Sequence, residues 1–176
     1  MSTYFKVEIN DVKNPNGDKT IVDLTNCSTK DHMLEELASQ LDCEEDELDF
    51  QDAWMDAEED FLLDLLDIRD IHKIDDDTFD NIDTIENSNQ SLDVWEAANA
   101  LIGTSGGFDI VASEVKNYIG EFDSEADFAE AYYTSDLGGE PLEIPSVLQG
   151  CIDWDRVWSS DLRHGITESN GHYFND

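Results

Sequence analysis

Residues 56–86, DAEEDFLLDLLDIRDIHKIDDDTFDNIDTIE, begin with the apolar spacing of a helix and carry a dense run of carboxylates. The apolar residues between positions 61 and 66 recur on one helical face. Four acids recur on another face, at intervals of four, four and three residues: Asp56, Asp60, Asp64 and Asp67. The pattern predicts an amphipathic helix whose exposed side is almost entirely carboxylate.

This stretch belongs to a strongly negative chain. The 176 residues include 44 Asp and Glu against 9 Lys and Arg, a formal net charge of −35. Residues 41–86 hold 20 of the acids and two of the bases, Arg69 and Lys73, so about half of the net charge lies in a quarter of the length. Because such a surface repels phosphate backbones and anionic lipid headgroups, we expect no direct binding to nucleic acid or membrane.

The N-terminal segment predicts a small sheet and a helix. An alternating run ending at Ile9, turn residues at 14–17 and a β-rich run over residues 20–24 indicate a hairpin. Ser28, with Asp31 three residues later, is a candidate N-cap for a helix that ends near Leu41. Residues 48–54 alternate again and predict a third strand on the same sheet.

Four helices and a second hairpin are predicted beyond residue 90. The expected helices begin after Ser91 and end at Gly103, cover residues 110–119 and end at Gly120, begin at Ser124, and cover residues 154–162 after an Asp153 cap. Residues 164–167 and 172–174 face each other across a Ser-Asn-Gly turn. We therefore predict an α+β protein, an elongated chain of small domains. An α/β N-terminal part (1–55) and C-terminal part (121–176) flank an acidic helical middle (56–120).

Residues 75–86 have the length of an EF-hand calcium loop. Oxygen ligands stand at positions 1, 3, 7, 9 and 12: Asp75, Asp77, Asn81, Asp83 and Glu86. Position 6, which needs Gly for its sharp turn, is Asp80, and position 5 is Phe79. A solvated acidic segment is therefore favoured over a calcium-dependent module, and we expect no metal and no cofactor.

The sequence contains no convincing catalytic motif. Residues 103–107, GTSGG, match a nucleophile elbow in letters, but they follow a helix-like run rather than a strand. The four His lack the spacing of a zinc-protease site. Cys27, Cys43 and Cys151 are odd in number and widely spaced, which favours reduced thiols over a disulfide framework. We expect a protein that is not an enzyme. With no secretory signal and no apolar run near the ~18 residues of a membrane span, we expect it in the cytoplasm.

The spacing of negative charge is close to that of a nucleic acid. Carboxylates three or four residues apart on a helix lie ~5 Å apart along its axis, and each DNA strand places one phosphate per ~3.4 Å. Rows of such carboxylates could occupy a protein site built for DNA. We expect these acids to stand in for phosphates: Asp56, Glu59, Asp60, Asp64, Asp67, Asp70, Asp75, Asp76, Asp77, Asp80, Asp83, Glu86, Glu121, Asp123, Glu125, Asp127 and Glu130.

Part of the chain resembles a known family. Residues 119–133, IGEFDSEADFAEAYY, and 144–158, IPSVLQGCIDWDRVW, followed by SDL at 160–162, are similar to the C-terminal half of the ArdA antirestriction proteins. The hairpin ending in residues 171–174, GHYF, also fits. At the N-terminus, Asn16-Gly17 followed by Val22-Asp23-Leu24 is similar to the opening hairpin of that family. Ser160 stands where the family has an arginine.

The resemblance implies a function as well as a shape. It implies a three-part homodimer that imitates bent B-form DNA and occupies the DNA groove of type I restriction-modification enzymes. Such a protein protects a mobile element or phage that enters a bacterial host cell. The alternative is an acidic interaction or chaperone module for basic DNA-binding proteins. In either case the clustered carboxylates are expected to raise one another's pKa.

Overall fold

The computed structural model describes residues 5–9, 20–48, 50, 53–103 and 106–176. They form a mixed α+β structure with two three-stranded sheets. The chain divides into two compact units, Met1–Leu92 and Asp93–Asp176. The turn expected at residues 14–17 lies outside the described residues.

The sheet of the first unit confirms the expected N-terminal hairpin. It contains β1 (Phe5–Ile9), β2 (Thr20–Asp23) and β3 (Ala53–Ala57) in the order β2-β1-β3, with both pairings antiparallel. Val7 lies opposite Val22 on one side and Met55 on the other, and all three are buried. The third strand lies on the predicted sheet, but it begins at Ala53 and not at residue 48.

The described residues of the first unit also form the helices α1 (Lys30–Leu41), α2 (Asp60–Leu65) and α3 (Asp76–Asn87). Short 3-10 turns cover Leu24–Asn26, Glu45–Glu47 and Ile71–Lys73. The N-cap of α1 is Thr29 and not Ser28, because the Thr29 hydroxyl accepts a hydrogen bond from the His32 amide at 3.2 Å. Helix α1 packs on β2 and buries Met33 and Leu37.

The helix predicted over residues 56–67 is much shorter than expected. After α2 the backbone reaches a left-handed conformation at Asp67 (φ 54°), and the Ile68 amide bonds back to the Leu63 carbonyl at 2.9 Å. This closure buries Ile68 completely. Asp56 lies on β3, so of the four acids in the expected stripe only Asp60 and Asp64 share a helix.

The candidate calcium loop over residues 75–86 is α3 together with its N-cap residue, Asp75. Phe79, Ile82 and Ile85 form the buried face of this helix. A continuous helix is not the ligand-wrapping turn of an EF-hand. The acids of the segment therefore lie along a helix surface.

Helix α4 (Leu92–Ile102) begins at the last residue of the first unit and otherwise belongs to the second unit. The second unit also contains α5 (Phe108–Lys116), α6 (Glu125–Thr134), α7 (Ser146–Gln149) and α8 (Trp154–Ser160). A 3-10 turn follows at Leu162–His164. Helix α4 covers the residues expected between Ser91 and Gly103, and Gly103 adopts a φ of 68°. The helix expected over residues 110–119 ends at Lys116, because the following residues pair into a sheet.

That sheet contains β4 (Tyr118–Glu121), β5 (Ile166–Ser169) and β6 (His172–Asn175) in the order β4-β6-β5. The expected C-terminal hairpin is confirmed. Asn170 and Gly171 both have positive φ, 52° and 82°, as the two central residues of a type I′ turn require.

Aromatic packing holds α6 and α8 on this sheet. Phe128 of α6 stacks on Tyr173 of β6 with ring centroids 4.2 Å apart, and Trp158 of α8 meets both rings edge-on. All three residues are buried. The opposite side of α6 therefore faces solvent.

The domain boundaries expected after residues 55 and 120 both fall inside strands, β3 and β4. A cut at either place would remove part of a paired strand. Within the described part of the chain, no helix is both long and apolar enough to cross a membrane.

Candidate acidic binding surfaces

Helix α3 carries an ordered row of carboxylates. Asp76, Asp80 and Asp83, which we call the α3 row, stand four and three residues apart, and Asp77 lies beside them. All four residues are exposed. Because a helix rises ~1.5 Å per residue, the row places charges ~4.5 to ~6 Å apart along its axis. No ion pair involves these four side chains among the described residues.

Local hydrogen bonds fix the start of this helix. The Asp75 carboxylate accepts from the Thr78 amide at 3.0 Å, and the Thr78 hydroxyl accepts from the Asp75 amide at 3.2 Å. The Asp76 carboxylate accepts from the Lys30 amide at 3.0 Å, and the Lys30 ammonium donates to the Ile74 carbonyl at 2.8 Å. The first turn of α1 and the first turn of α3 are therefore held together.

The helix dipole stabilises only part of this charge. Asp75, Asp76 and Asp77 lie at the N-terminal end, where the dipole favours anions. Asp80, Asp83 and Glu86 lie further along, where that benefit fades and like charges three residues apart repel. In this half of the helix the Asp83 carboxylate accepts a hydrogen bond from the Asn87 side chain at 2.8 Å.

Around α2 the carboxylates are partly neutralised. Arg69 pairs with Asp60 at 3.0 Å and also with Asp64, and Lys73 pairs with Asp67 at 2.6 Å. Hydrogen bonds from Arg69 hold the pKa of Asp64 below its ordinary value. This direction is opposite to the rise expected for clustered acids, because a cation and not a neighbouring acid dominates the environment of Asp64.

The remaining predicted acids of the first unit are dispersed. Asp56 is exposed on β3, and Glu59 is exposed at the start of α2. Asp70 caps the 3-10 turn that follows, by accepting from the His72 amide at 3.0 Å. Glu86 is half-buried near the end of α3. Only on α3 does the first unit join the predicted acids into a row.

The second unit also carries exposed acids around the start of α6. Asp127 and Glu130 stand three residues apart on the helix, and Asp123 precedes its N-cap residue Ser124; we call these three the α6 row. Ser124 caps α6 by accepting from the Asp127 amide at 3.1 Å, as the sequence predicts. Glu121 is exposed on β4 and Glu125 is exposed in the first turn of α6.

Two features of these surfaces carried no usable sequence signal. Arg69 stands five residues after Asp64 and nine after Asp60, which is not the spacing of neighbours on a helix. Its pairing depends on the turn at Asp67, which brings the chain back to α2. The contact from Lys30 to Ile74 joins residues 44 apart in sequence.

The described residues contain no group of three or more His, Cys, Asp or Glu side chains that could hold a metal ion. The buried histidine, His172, lies 3.3 Å from the Tyr118 hydroxyl within the second sheet. Cys27 and Cys43 are half-buried, Cys151 is exposed, and all three are free thiols.

No protein-family model matches the chain, and no curated protein or solved structure matches it either. The likeness to the antirestriction proteins stays a prediction from the residues quoted above.

Proposed function

We propose that this protein is a DNA mimic that inhibits type I restriction-modification enzymes by occupying their DNA-binding groove. The single observation that supports this function best is the α3 row, which presents ordered, exposed carboxylates without neutralising partners among the described residues. The α6 row supports the proposal with further exposed carboxylates on the other unit.

The physical basis is that carboxylates of this protein replace DNA phosphates as the partners of cations on the enzyme. A DNA-binding groove places Lys and Arg where phosphates lie, and much of its affinity is electrostatic and independent of sequence. Carboxylates held by a folded scaffold meet those cations without presenting any base to be read. The proposal includes a homodimer and an elongated arrangement of the acidic parts, both taken from the resemblance. It involves no catalysis and no cofactor.

Competition with DNA tests the proposal. The purified protein is added to a type I restriction-modification enzyme, and DNA binding is followed with a labelled duplex. We expect displacement in both directions: the protein releases the duplex, and excess duplex releases the protein. Affinity for the enzyme should fall at least about tenfold between about 50 and 200 mM NaCl. Binding to the enzyme that depends neither on added duplex nor on salt concentration would contradict the proposal of a DNA mimic.

A charge-neutralised variant tests the role of the rows. Asp123→Asn, Glu125→Gln, Asp127→Asn and Glu130→Gln together remove four charges around α6, and we expect a large loss of inhibition. A matched variant removes four exposed charges outside the predicted surfaces: Asp31→Asn, Glu35→Gln, Glu36→Gln and Glu45→Gln. Equal losses in the two variants would mean that only the total charge matters.

The alternative, a chaperone for flexible basic proteins, predicts a different result. Such a protein should bind isolated Lys- and Arg-rich peptides as tightly as it binds a folded enzyme. A mimic should prefer the folded groove, because its carboxylates are fixed in position. Parallel titrations against the enzyme and against a basic peptide separate the two functions.

A further inference from the structure

A loop between α6 and α8 exposes apolar side chains to solvent. Leu142, Val147 and Leu148 are 56%, 81% and 50% exposed, and the short helix α7 buries none of its residues. Four of the six large hydrophobic side chains that the described residues expose lie between positions 137 and 148. Exposed apolar groups are therefore concentrated in this loop, and such concentrations mark interaction sites.

Both ends of the loop lie beside Tyr133 of α6. The Leu142 amide donates to the Tyr133 carbonyl at 2.8 Å, and the Tyr133 ring stacks on the Trp154 ring with centroids 6.5 Å apart. We call residues 142–154 together with Tyr133 the apolar loop surface. Because the loop begins and ends at the same residue of α6, its exposed side chains belong to one short stretch of surface.

Hydrogen bonds hold this surface in shape. The Leu148 amide donates to the Pro145 carbonyl at 2.8 Å, and the Cys151 amide donates to the Leu148 carbonyl at 2.9 Å. The Tyr133 hydroxyl donates to the Asp161 carboxylate, which fixes the ring at the base of the loop. A surface that is already ordered loses less conformational entropy when it binds a partner.

Carboxylates surround the exposed apolar side chains. Glu140 and Glu143 are exposed on either side of Leu142 in the chain, and no ion pair among the described residues involves them. Glu130 of the α6 row stands three residues before Tyr133 and is its neighbour on the helix surface. The apolar loop surface therefore has a negative rim and continues the α6 row.

This charge argues against a second copy of the chain as the partner that covers the loop. Residues 131–161 hold six acids and one base, Arg156. In a two-fold contact the same patch of each copy faces the other, so Glu140 and Glu143 would approach acids of the same patch. Like charges placed opposite one another across an interface are costly. A partner with basic residues around apolar ones would instead be attracted.

We propose that the apolar loop surface receives an apolar segment of the partner protein that is flanked by Lys or Arg. The apolar side chains of that segment cover Val147 and Leu148. Its cations meet Glu140 and Glu143. The inference rests on the proposed function, since it gives the enzyme that meets the α6 row a second contact of a different kind. This contact supplies affinity that salt does not screen, because it depends on apolar area.

Two matched pairs of variants test the surface in the enzyme-inhibition assay. Val147→Gln with Leu148→Gln removes two exposed apolar side chains from the loop, and Ile21→Gln with Ile110→Gln removes two from elsewhere. Neither pair changes the net charge. We expect the loop pair to weaken inhibition about tenfold more than the control pair. The ratio between the pairs should stay constant between about 50 and 200 mM NaCl. Where the wild type inhibits, equal inhibition by the two pairs overturns the inference.

Synthetic peptides test the surface without the enzyme. A short amphipathic peptide of Leu and Lys should shift the backbone NMR signals of residues 142–154, and its affinity should fall about tenfold in the loop pair of variants. A peptide with Ser in place of Leu should leave those signals unchanged, and a peptide of Leu and Glu should not bind. Equal shifts from the Ser and Lys peptide, or no shifts from any peptide, overturn the inference.

Sedimentation velocity examines the competing explanation, a second copy of the chain. A dimer that forms in the wild type and dissociates in the loop pair overturns the inference. If the Leu and Lys peptide binds the loop while duplex competition is absent, the proposed function fails and the apolar loop surface is retained. If duplex competition is strong and the two variant pairs inhibit equally, the apolar loop surface fails and the proposed function is retained.

Discussion

Arg69 determines how much of the charge around α2 is free to meet a partner. Its guanidinium contacts the carboxylates of Asp60 and Asp64, both of which are exposed. Exposed ion pairs contribute little to stability, because water and salt screen them. Their larger consequence is electrostatic. The spacing in the sequence assigns Asp60 and Asp64 to an interaction surface, but both carboxylates are already paired with Arg69.

The first prediction concerns the pKa of Asp64. In Arg69→Gln the pKa of Asp64 should rise toward its ordinary value of 3.8, because its main hydrogen-bond donor is lost. A depressed carboxyl pKa contributes stability that is present above the unfolded pKa and is lost as pH falls through the folded one. The wild-type protein should therefore lose the stability contributed by Asp64 as the pH falls below about 4. The variant should lack this contribution to stability at every pH.

A carboxyl-carbon NMR titration of both proteins measures this pKa directly. Lys73→Gln serves as the control, since Lys73 pairs with Asp67 and not with Asp64. An unchanged Asp64 titration in Arg69→Gln would show that the ion pair does not form in solution.

The second prediction concerns the cap of α6. Ser124→Ala removes the acceptor for the Asp127 amide and should lower the free energy of unfolding by about 1 kcal/mol. Urea denaturation measures the change. Ser113→Ala, at an exposed interior position of α5, should change stability by less than about 0.5 kcal/mol. A Ser124→Ala loss no larger than that of Ser113→Ala would mean that another group replaces the cap.

Among the elements, the pairing of α6 with β6 holds the acidic face of the second unit outward. Phe128 is fully buried against Tyr173 and Trp158. Phe128→Ala should destabilise the protein by about 3 kcal/mol or more, because a buried aromatic ring leaves a cavity when it is removed. The near-ultraviolet circular dichroism of the aromatic cluster and its urea midpoint report the loss. Phe108→Ala, at a partly buried ring near the start of α5, should cost less.

The same unit should be sensitive to alkali. A hydrogen bond to Asp161 raises the pKa of Tyr133 to about 12, and burial raises that of Tyr173 to about 12. The folded state therefore holds both phenol protons more tightly than the unfolded chain, whose tyrosines ionise near pH 10. The stability that these protons contribute is complete below pH 10 and is lost as pH rises toward about 12.

Tyrosinate absorbance and far-ultraviolet circular dichroism, recorded together, test this prediction. Ionisation of Tyr133 and Tyr173 should coincide with unfolding. In Tyr133→Phe the Asp161 hydrogen bond is absent, so one fewer tyrosine should ionise in that range. Ionisation of Tyr133 or Tyr173 near pH 10 with the fold intact would contradict the environments assigned to these two residues.

For the molecule as a whole, the net charge of −35 opposes compaction. Salt should therefore stabilise the protein, and raising NaCl from about 20 to about 500 mM should increase Tm by at least about 3 °C. Scanning calorimetry measures the shift, and KCl should act like NaCl if screening is the cause. A Tm independent of salt would indicate that the carboxylates are too far apart to repel one another.

The sequence by itself determined the charge, both hairpins and several helix starts. These depend on local causes: the Asn170-Gly171 turn requires positive φ, and the Ser124 side chain lies next to the amide it caps. The acids of residues 75–86 were identifiable as a dense run of charge, but their interpretation as a solvated segment did not predict the helix α3.

Only the tertiary structure decided which carboxylates form rows. The end of α2 depends on the burial of Ile68, the strand at Tyr118–Glu121 depends on pairing with β6, and the ion pairs of Arg69 depend on the turn at Asp67. The contact of Lys30 with the Ile74 carbonyl likewise joins residues 44 apart in the chain. Closing a long loop costs conformational entropy, which contacts between distant segments offset only in the complete fold. The local spacing of residues therefore does not reveal such contacts.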